Sequence, residues 1–308
     1  MTQKVYDCII VGGGPAGLTA GIYMARARVD VVLLEKVMPG GQIMTSDLVE
    51  NYPGFPKGIS GAELSFAMSQ QASNMGLVVE SAQVTGVDFS GAVKVLLTDT
   101  GKYLAKTVII ASGAQPGKLG VPGENIYYGK GVSFCATCDA PFFRNKVVAA
   151  VGGGDTAVQE SIFLTRFAEK VYLIHRRNTL RATKVLQERA LSNKRIEMVW
   201  DSVVTQIQGE EGVSSVGVKN LKTGEEKNLP VDGVFVWVGT VPNTDFVKGA
   251  VKTNERGFIV ADSNMRTSVP GVFAAGDVRD TPLRQVSTAV GDAAIAAFSA
   301  GHYLEEHS

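Results

Sequence analysis

The sequence predicts an α/β protein built from two Rossmann-like dinucleotide-binding domains, one of them inserted into the other. Three observations carry that expectation. A strand, glycine turn, helix and second strand occur twice in the same order. An apolar strand with Gly and Pro behind it closes each occurrence. The length, 308 residues, is more than one small domain needs and enough for two compact cores.

The first module is DCIIVGGGPAGLTAGIYMARARVDVVLLEK, with Gly12, Gly14 and Gly17 between strand and helix and Glu35 at the end of the second strand. VVAAVGGGDTAVQESIFLTRFAEKVYLIHRR repeats it with Gly152, Gly154 and Ala157. Gly12 and Gly152, Val31 and Val171, and Glu35 and His175 all stand 140 positions apart. In each copy the first position makes the tight turn, the second lets the backbone approach a pyrophosphate, and the third lets helix pack on strand. The helix N-terminus then holds the anion. One such glycine motif is an ordinary turn, but two in register, each after a strand and before a helix, predict two dinucleotide sites.

The residue ending the second strand separates the two ligands. Glu35 can accept hydrogen bonds from both hydroxyls of an adenosine ribose and would repel a 2′-phosphate, so the first site suits FAD or NAD. His175 is followed by Arg176 and Arg177, with Arg181 beyond. Unit charges ~4 Å apart near a protein surface attract by about 4 kcal/mol before further screening, so the second site suits NADPH. A solvated basic loop is the plainer reading, and the position at a strand end argues against it. Asp155, at the mouth of the second turn, reads as a helix cap that accepts from free backbone N–H groups.

Between the modules, VENYPGFPKG marks turns, and KVLLTDTGKYLAKTVIIASGAQP alternates as small antiparallel strands returning to the central sheet. The chain is expected to cross into the inserted domain near Gly113 and to leave it near Gly239, after GVFVWVGTVPN. The domains are therefore placed at 1–113, 114–240 and 241–308. The last part holds GVFAAGDV, a buried strand ending in Gly276 and Asp277, and then a helix from near Arg284. The positive end of that helix would stabilise an anionic reduced flavin ahead of it; a small-residue packing face is the other reading.

Two of the three cysteines stand in SFCATCDAPF. Zinc would need four ligands, and the spacing of Cys8, His175, His302 and His307 supplies them poorly. A structural disulfide closing so short a loop constrains the unfolded chain little. A redox dithiol remains: Cys135 and Cys138 would form and break a bond through thiolate attack, with Asp139 delivering a proton. Cys8 is expected to be a small buried apolar residue.

Thirty basic and thirty acidic residues cancel, so nothing draws the chain to nucleic acid. Small molecules or proteins are the expected partners. No charged leader precedes the first strand, no apolar run approaches the ~18 residues that span a bilayer, and Asp292 interrupts the alanine-rich end. A cytoplasmic location is expected, where structural disulfides are uncommon.

GGGPAG, GGQ at 40–42, ENYPG at 50–54, CATCD, GGGDTA, HRR with a later arginine, and FAAGDV followed by RQ together resemble the low-molecular-weight thioredoxin reductases along essentially the whole chain. CATCD between two dinucleotide motifs is the specific element. The resemblance implies a homodimer, an FAD domain built from both chain ends and an inserted NADPH domain. On the FAD side it implicates Gly12, Gly14, Pro15, Ala16, Gly17, Glu35 and Lys36, then Gly40, Gly41, Gln42 and Asn51. Ala111, Gly113, Gly276, Asp277, Arg284, Gln285, Val286 and Ala289 complete that set. On the NADPH side it implicates Gly153, Gly154, Asp155, Thr156, His175, Arg176, Arg177 and Arg181. Ser112, Pro141 and Leu180 depart from the common pattern and bear on nicotinamide preference.

The activity so implied passes electrons from NADPH through FAD and the cysteine pair to thioredoxin. The inserted domain would rotate about hinges near Gly113 and Gly239, presenting nicotinamide and disulfide in turn. Two other functions fit the motifs: reduction of another disulfide carrier, glutaredoxin-like or peroxidase-linked, and a flavin redox sensor that switches a partner without turnover. The lack of a thioredoxin-like domain at either end argues against a self-contained peroxidase-linked enzyme.

Overall fold

Alternation along Val5–Val11 settles where its two faces go. Cys8 and Ile10 lie in one hydrophobic cluster with the helices Pro15–Arg26 and Val286–Glu306, while Ile9 and Val11 lie in another on the opposite side. Successive residues of a strand point to opposite faces, so the apolar run 8–11 at its end belongs in the middle of a covered sheet. The protein is known from a computed structural model that describes residues 4–46, 49 and 51–307; of Thr45, Thr137 and Cys138 it describes the backbone alone.

The chain divides into two units, Met1–Gln115 with Val241–Ser308, and Pro116–Thr240. In the first, the strands Val78–Ser81, Val31–Glu35, Val5–Val11 and Lys102–Ile110 lie side by side and parallel, and Val272–Ala274 joins the far side of Lys102–Ile110 in parallel. Lys102–Ile110 also pairs antiparallel with Lys94–Thr98, which pairs with Val84–Asp88. The expected small antiparallel strands are thus an extension of the main sheet. A helix at Gly61–Asn74 starts on a capping box, Ser60 accepting from the Glu63 N–H at 3.1 Å while Glu63 accepts from the Ser60 N–H at 3.3 Å.

The second unit repeats the plan. Ile196–Val199, Lys170–Ile174, Val147–Gly152, Gly233–Trp237 and Val132–Ser133 form a five-stranded parallel sheet. The internal duplication extends to the register: Cys8 stands opposite Val31 in one unit and Val148 opposite Val171 in the other. One face is covered by helices Asp155–Leu164 and Lys184–Ser192 through Val158, Leu164 and Ala190. Three antiparallel strands, Ser202–Gly209, Val213–Asn220 and Glu226–Pro230, cover the other through Val204, Ile207, Val216 and Val218.

Asp292, which the sequence offers only as an interruption of an apolar stretch, clamps the first unit. Its carboxylate accepts from Arg279 Nε at 2.5 Å and Nη2 at 3.0 Å, and from the Gly276 N–H at 3.2 Å. The two side chains are 11% and 16% exposed, so the pair is little screened and ties the turn after Val272–Ala274 to the long C-terminal helix. Removing one member leaves a buried charge without its partner, at about 3–5 kcal/mol. Asp292→Ala is expected to lower the stability of this unit by that order, read as a shift in the urea midpoint at unchanged slope; a variant within ~0.5 kcal/mol of the parent would show that the clamp contributes nothing.

Candidate active site

The first glycine turn is built on close approach. Gly12 has φ 102°, and a Cβ there would lie 2.5 Å from the Ala111 carbonyl oxygen. A Cβ on Gly17 would lie 1.8 Å from the Gly12 oxygen, so the helix Pro15–Arg26 meets the strand where no side chain fits. Gly14, by contrast, faces open space, with only the Gly41 Cα within 4 Å. Neither this helix nor Asp155–Leu164 has a side-chain cap: Gly14 and Gly154 are the N-cap residues, both extended. Their first-turn N–H groups are left for an anion.

The two turns are held by matching contacts. Glu35 Oε2 accepts from the Gly13 N–H at 2.6 Å, and its Oε1 from the Val37 N–H at 3.1 Å. At the equivalent position His175 packs its ring against Gly153, where a Cβ would fall 2.3 Å away. The Gly13 carbonyl accepts from the Gly40 N–H at 2.8 Å, and the Gly153 carbonyl from the Arg181 N–H at 2.7 Å. In both units the middle glycine therefore joins the phosphate turn to the loop after the second strand.

Most of the residues expected around FAD converge within the first unit. Ala16, Gly276 and Ala289 meet, since a Cβ on Gly276 would lie 3.0 Å from the Ala16 Cβ and 3.5 Å from the Ala289 Cβ. Gly41 lies against Gly14 and Pro15, and Gln42 donates its amide to the Ala114 carbonyl. Asn51 Nδ2 donates to Gln285 Oε1 at 2.9 Å, and Arg284 Nε to the Asp277 carbonyl at 3.4 Å. Val286 opens the C-terminal helix, two residues after the expected Arg284. Gly113 accepts from the Asn243 N–H at 3.0 Å; Lys36 is exposed and makes no contact with this cluster that the structure describes. Burial pushes the Asp277 carboxyl up, Arg284 opposes the shift, and Asp292 adds to it.

In the second unit Arg176, Arg177 and Arg181 are exposed beside the turn, whereas His175 is 5% exposed and its Nε2 has no hydrogen-bond partner. Thr156 is exposed one residue into the helix. Asp155 does not cap the helix as its position suggests. It is the first helical residue, and its Oδ1 accepts from the Thr183 N–H at 2.7 Å, which fastens the start of Lys184–Ser192. The competing donor across the turn wins because the N-cap position belongs to Gly154.

Cys135 follows the strand Val132–Ser133, at the carboxyl edge of the same parallel sheet that ends in Gly152. Ligands of open parallel sheets gather at that edge. Ser133 Oγ accepts from the Cys135 N–H at 3.0 Å and donates to its carbonyl at 3.2 Å, and Trp237 Nε1 donates to the Phe134 carbonyl at 3.2 Å. Cys135 is disulfide-bonded; the side chain of Cys138 lies outside the described residues. Ala136–Asp139 forms one helical turn, with the Asp139 N–H donating to the Cys135 carbonyl at 3.3 Å. A cavity of about 360 Å³ beside it is lined by Ser133, Asp139, Phe142, Lys130, Lys146 and Asp232. Cys8 is a free cysteine, fully buried, and burial pushes its thiol up to about 12. Among the described residues no group of three or more His, Cys, Asp or Glu could hold a metal ion, and no helix is long and apolar enough to cross a membrane.

Two glycine-turn units with a cysteine motif between their sequences define a class. A model of the pyridine nucleotide-disulphide oxidoreductases matches residues 6–293. The thioredoxin reductase of Bacillus subtilis is 45% identical over 305 residues, 99% of this chain and 96% of that one. That of Treponema pallidum is 47% identical, with 97% of each chain covered. The crystal structure of Lactococcus lactis thioredoxin reductase superposes with a TM-score of 0.86 at 44% identity, covering 98% of this chain and 99% of that one. The chain belongs to the thioredoxin reductases of the pyridine nucleotide-disulphide oxidoreductase family, and is an oxidoreductase.

Burial is the largest cause holding the His175 pKa below its ordinary 6.5; Arg181, Arg176 and Arg177 add to it, and a hydrogen bond with the Thr179 backbone works against it. The unfolded chain therefore binds a proton below pH 6.5 that the folded one refuses. Stability is full above that pH and is lost as pH falls through the folded value. Between pH 7 and 5.5 the denaturation midpoint of the parent should drop more than that of His175→Asn; equal slopes would assign the acid loss to other groups. Cys8 should resist alkylation at pH 8 in the folded protein and react once it is denatured, as thiol counting with and without urea will read.

Proposed function

We propose that this oxidoreductase passes two electrons from NADPH, through FAD, to the Cys135–Cys138 pair and then to the disulfide of oxidised thioredoxin. The observation that carries the reading is the meeting of a redox cysteine turn and a basic nucleotide turn at the carboxyl edge of one parallel sheet. The residues present fit the two nucleotides. Both helix N-termini lack side-chain caps, a Cβ on Gly154 would meet nothing within 4 Å, and His175 has an orphaned buried nitrogen behind the turn. FAD, when bound, supplies the relay between a two-electron hydride donor and a disulfide.

The chain's own groups then have defined tasks. The first-turn N–H groups behind Gly14 and Gly154 hold pyrophosphates, and Glu35 prefers a ribose carrying free hydroxyls. Arg176 and Arg177 hold the 2′-phosphate that distinguishes NADPH from NADH. Opening the Cys135–Cys138 bond yields two thiols. One, as thiolate, attacks the partner disulfide to form a mixed disulfide and expels a partner sulfur. The other attacks that mixed disulfide, reseals the pair and releases the reduced partner. Asp139, one residue beyond Cys138, supplies and recovers the proton. Arrangement as a homodimer, a cytoplasmic location, and rotation of the Pro116–Thr240 unit about glycines 113 and 239 belong to the same reading.

The test is anaerobic. NADPH should bleach the flavin absorbance and oxidised thioredoxin should restore it; a flavin that thioredoxin leaves reduced sinks the proposal. Cys135→Ser should keep the bleaching step and lose thioredoxin turnover by several orders of magnitude. Arg176→Glu with Arg177→Glu should lower kcat/KM for NADPH about 10- to 100-fold, the size expected when charged hydrogen bonds are lost, while moving the NADH value a few-fold at most. Equal losses with both nucleotides would remove the phosphate clamp.

A further inference from the structure

Phe258 is 1% exposed, yet it belongs to neither hydrophobic cluster of its unit. What lies on its ring is a cation: the Arg284 guanidinium carbon is 4.0 Å from the ring centroid, with Arg256 further off at 5.5 Å. The ring itself is fixed. Asn254 Oδ1 accepts from the Phe258 N–H at 3.1 Å, the Phe258 carbonyl accepts from the Asn254 N–H at 2.9 Å, and the next residue, Ile259, exchanges hydrogen bonds with Val278 and Asp280 at 3.0 and 2.8 Å. Arg284, by contrast, has among the described residues only long hydrogen bonds, 3.4 Å each, to the carbonyls of Asp277 and Arg279. Bonds of that length orient a guanidinium weakly. A guanidinium held 4.0 Å from an aromatic centroid is the stronger restraint.

We infer that Phe258 is a positioning residue that holds the Arg284 guanidinium against the Asp277 turn and thereby sets the reduction potential of bound FAD. The inference rests on the reading of this unit as the FAD site. Arg284 stands two residues before the helix Val286–Glu306, and Gln285 caps that helix through a capping box with Thr288. Helix N-terminus and guanidinium therefore bring positive potential to one place, offset in part by the Asp277 and Asp280 carboxylates that face Arg284. A cation held there favours the flavin state carrying more negative charge, which is the reduced one. A guanidinium that swings into solvent loses most of that influence to screening.

The experiment measures the midpoint potential of the FAD-loaded protein by equilibration with a reference dye. Phe258→Leu should make the potential more negative, cutting the reduced-to-oxidised ratio at a fixed potential three- to tenfold, tenfold being about 30 mV for a two-electron couple. Phe258→Tyr, which keeps the aromatic face, should restore the parental value. Arg284→Met should shift the potential in the same direction, and Phe258→Leu should add nothing in that background. A Phe258→Leu protein that binds FAD at the parental potential overturns the inference, as does a further shift in the Arg284→Met background. If Phe258→Leu does not retain FAD, Arg284→Lys decides: the charge stays but the planar guanidinium is lost, so the potential should move part of the way, and a parental value overturns the inference. Parental protein that takes up no FAD defeats the reading of the site instead.

Discussion

Close contact between helix and strand at a position with no side chain is the constraint from which the rest of the molecule follows. With 1.8 Å between a hypothetical Cβ on Gly17 and the Gly12 oxygen, any larger residue would push the helix off the sheet and redirect its uncapped N–H groups. In the second unit the third position is Ala157, and the compensation is visible: Gly152 has φ 153°, and a Cβ there would meet the Ala157 Cβ at 2.5 Å. The methyl gained at one position is accommodated by the hydrogen kept at the other. The two turns thus solve one packing problem with different pairs of residues, which is why register survives between the units although few side chains do.

The middle glycine extends that constraint outward. Its carbonyl binds the loop following the second strand, through the Gly40 N–H in one unit and the Arg181 N–H in the other. The loop after the second strand is therefore fastened to the glycine turn by backbone alone, and the side chain at the strand end can change without loosening either. Glu35 uses its carboxylate to receive the Gly13 N–H. His175 fills the same space with a buried ring, and the arginines that follow are left exposed. Duplication followed by exchange at this position and the arginines after it places different chemistry on a single backbone design.

The α/β architecture and both turns were legible in the sequence because glycine spacing and strand apolarity are local signals, and the constant offset of 140 made each module evidence for the other. The antiparallel strands Ser202–Gly209, Val213–Asn220 and Glu226–Pro230 were not, since the alternation in SVVTQIQG is bounded by charged turn residues and nothing local says which face they cover. The helix Gly61–Asn74 was also missed, though Ser60 and Glu63 spell its capping box. Residue type alone points Asp155 to a helix cap, but a backbone donor 28 positions away takes its carboxylate. Asp292 and Phe258 were invisible as functional candidates for the same reason: each acts through an arginine brought near by the fold, 13 and 26 positions along the chain.

Charge in the first unit is arranged around the start of the last helix, and its partners differ in how firmly they are held. Arg279 is locked by two short hydrogen bonds to a nearly buried carboxylate, so its position is structural and its charge is neutralised on the spot. Arg284 lies on a ring and, among the described residues, hydrogen-bonds only to carbonyl oxygens, with the Asp277 and Asp280 carboxylates near enough to offset part of its charge. The aromatic platform itself attracts a cation through a quadrupole and brings no counter-charge. Of the two arginines before this helix, one is held in a nearly buried ion pair and the other is oriented chiefly by a ring beside the helix N-terminus.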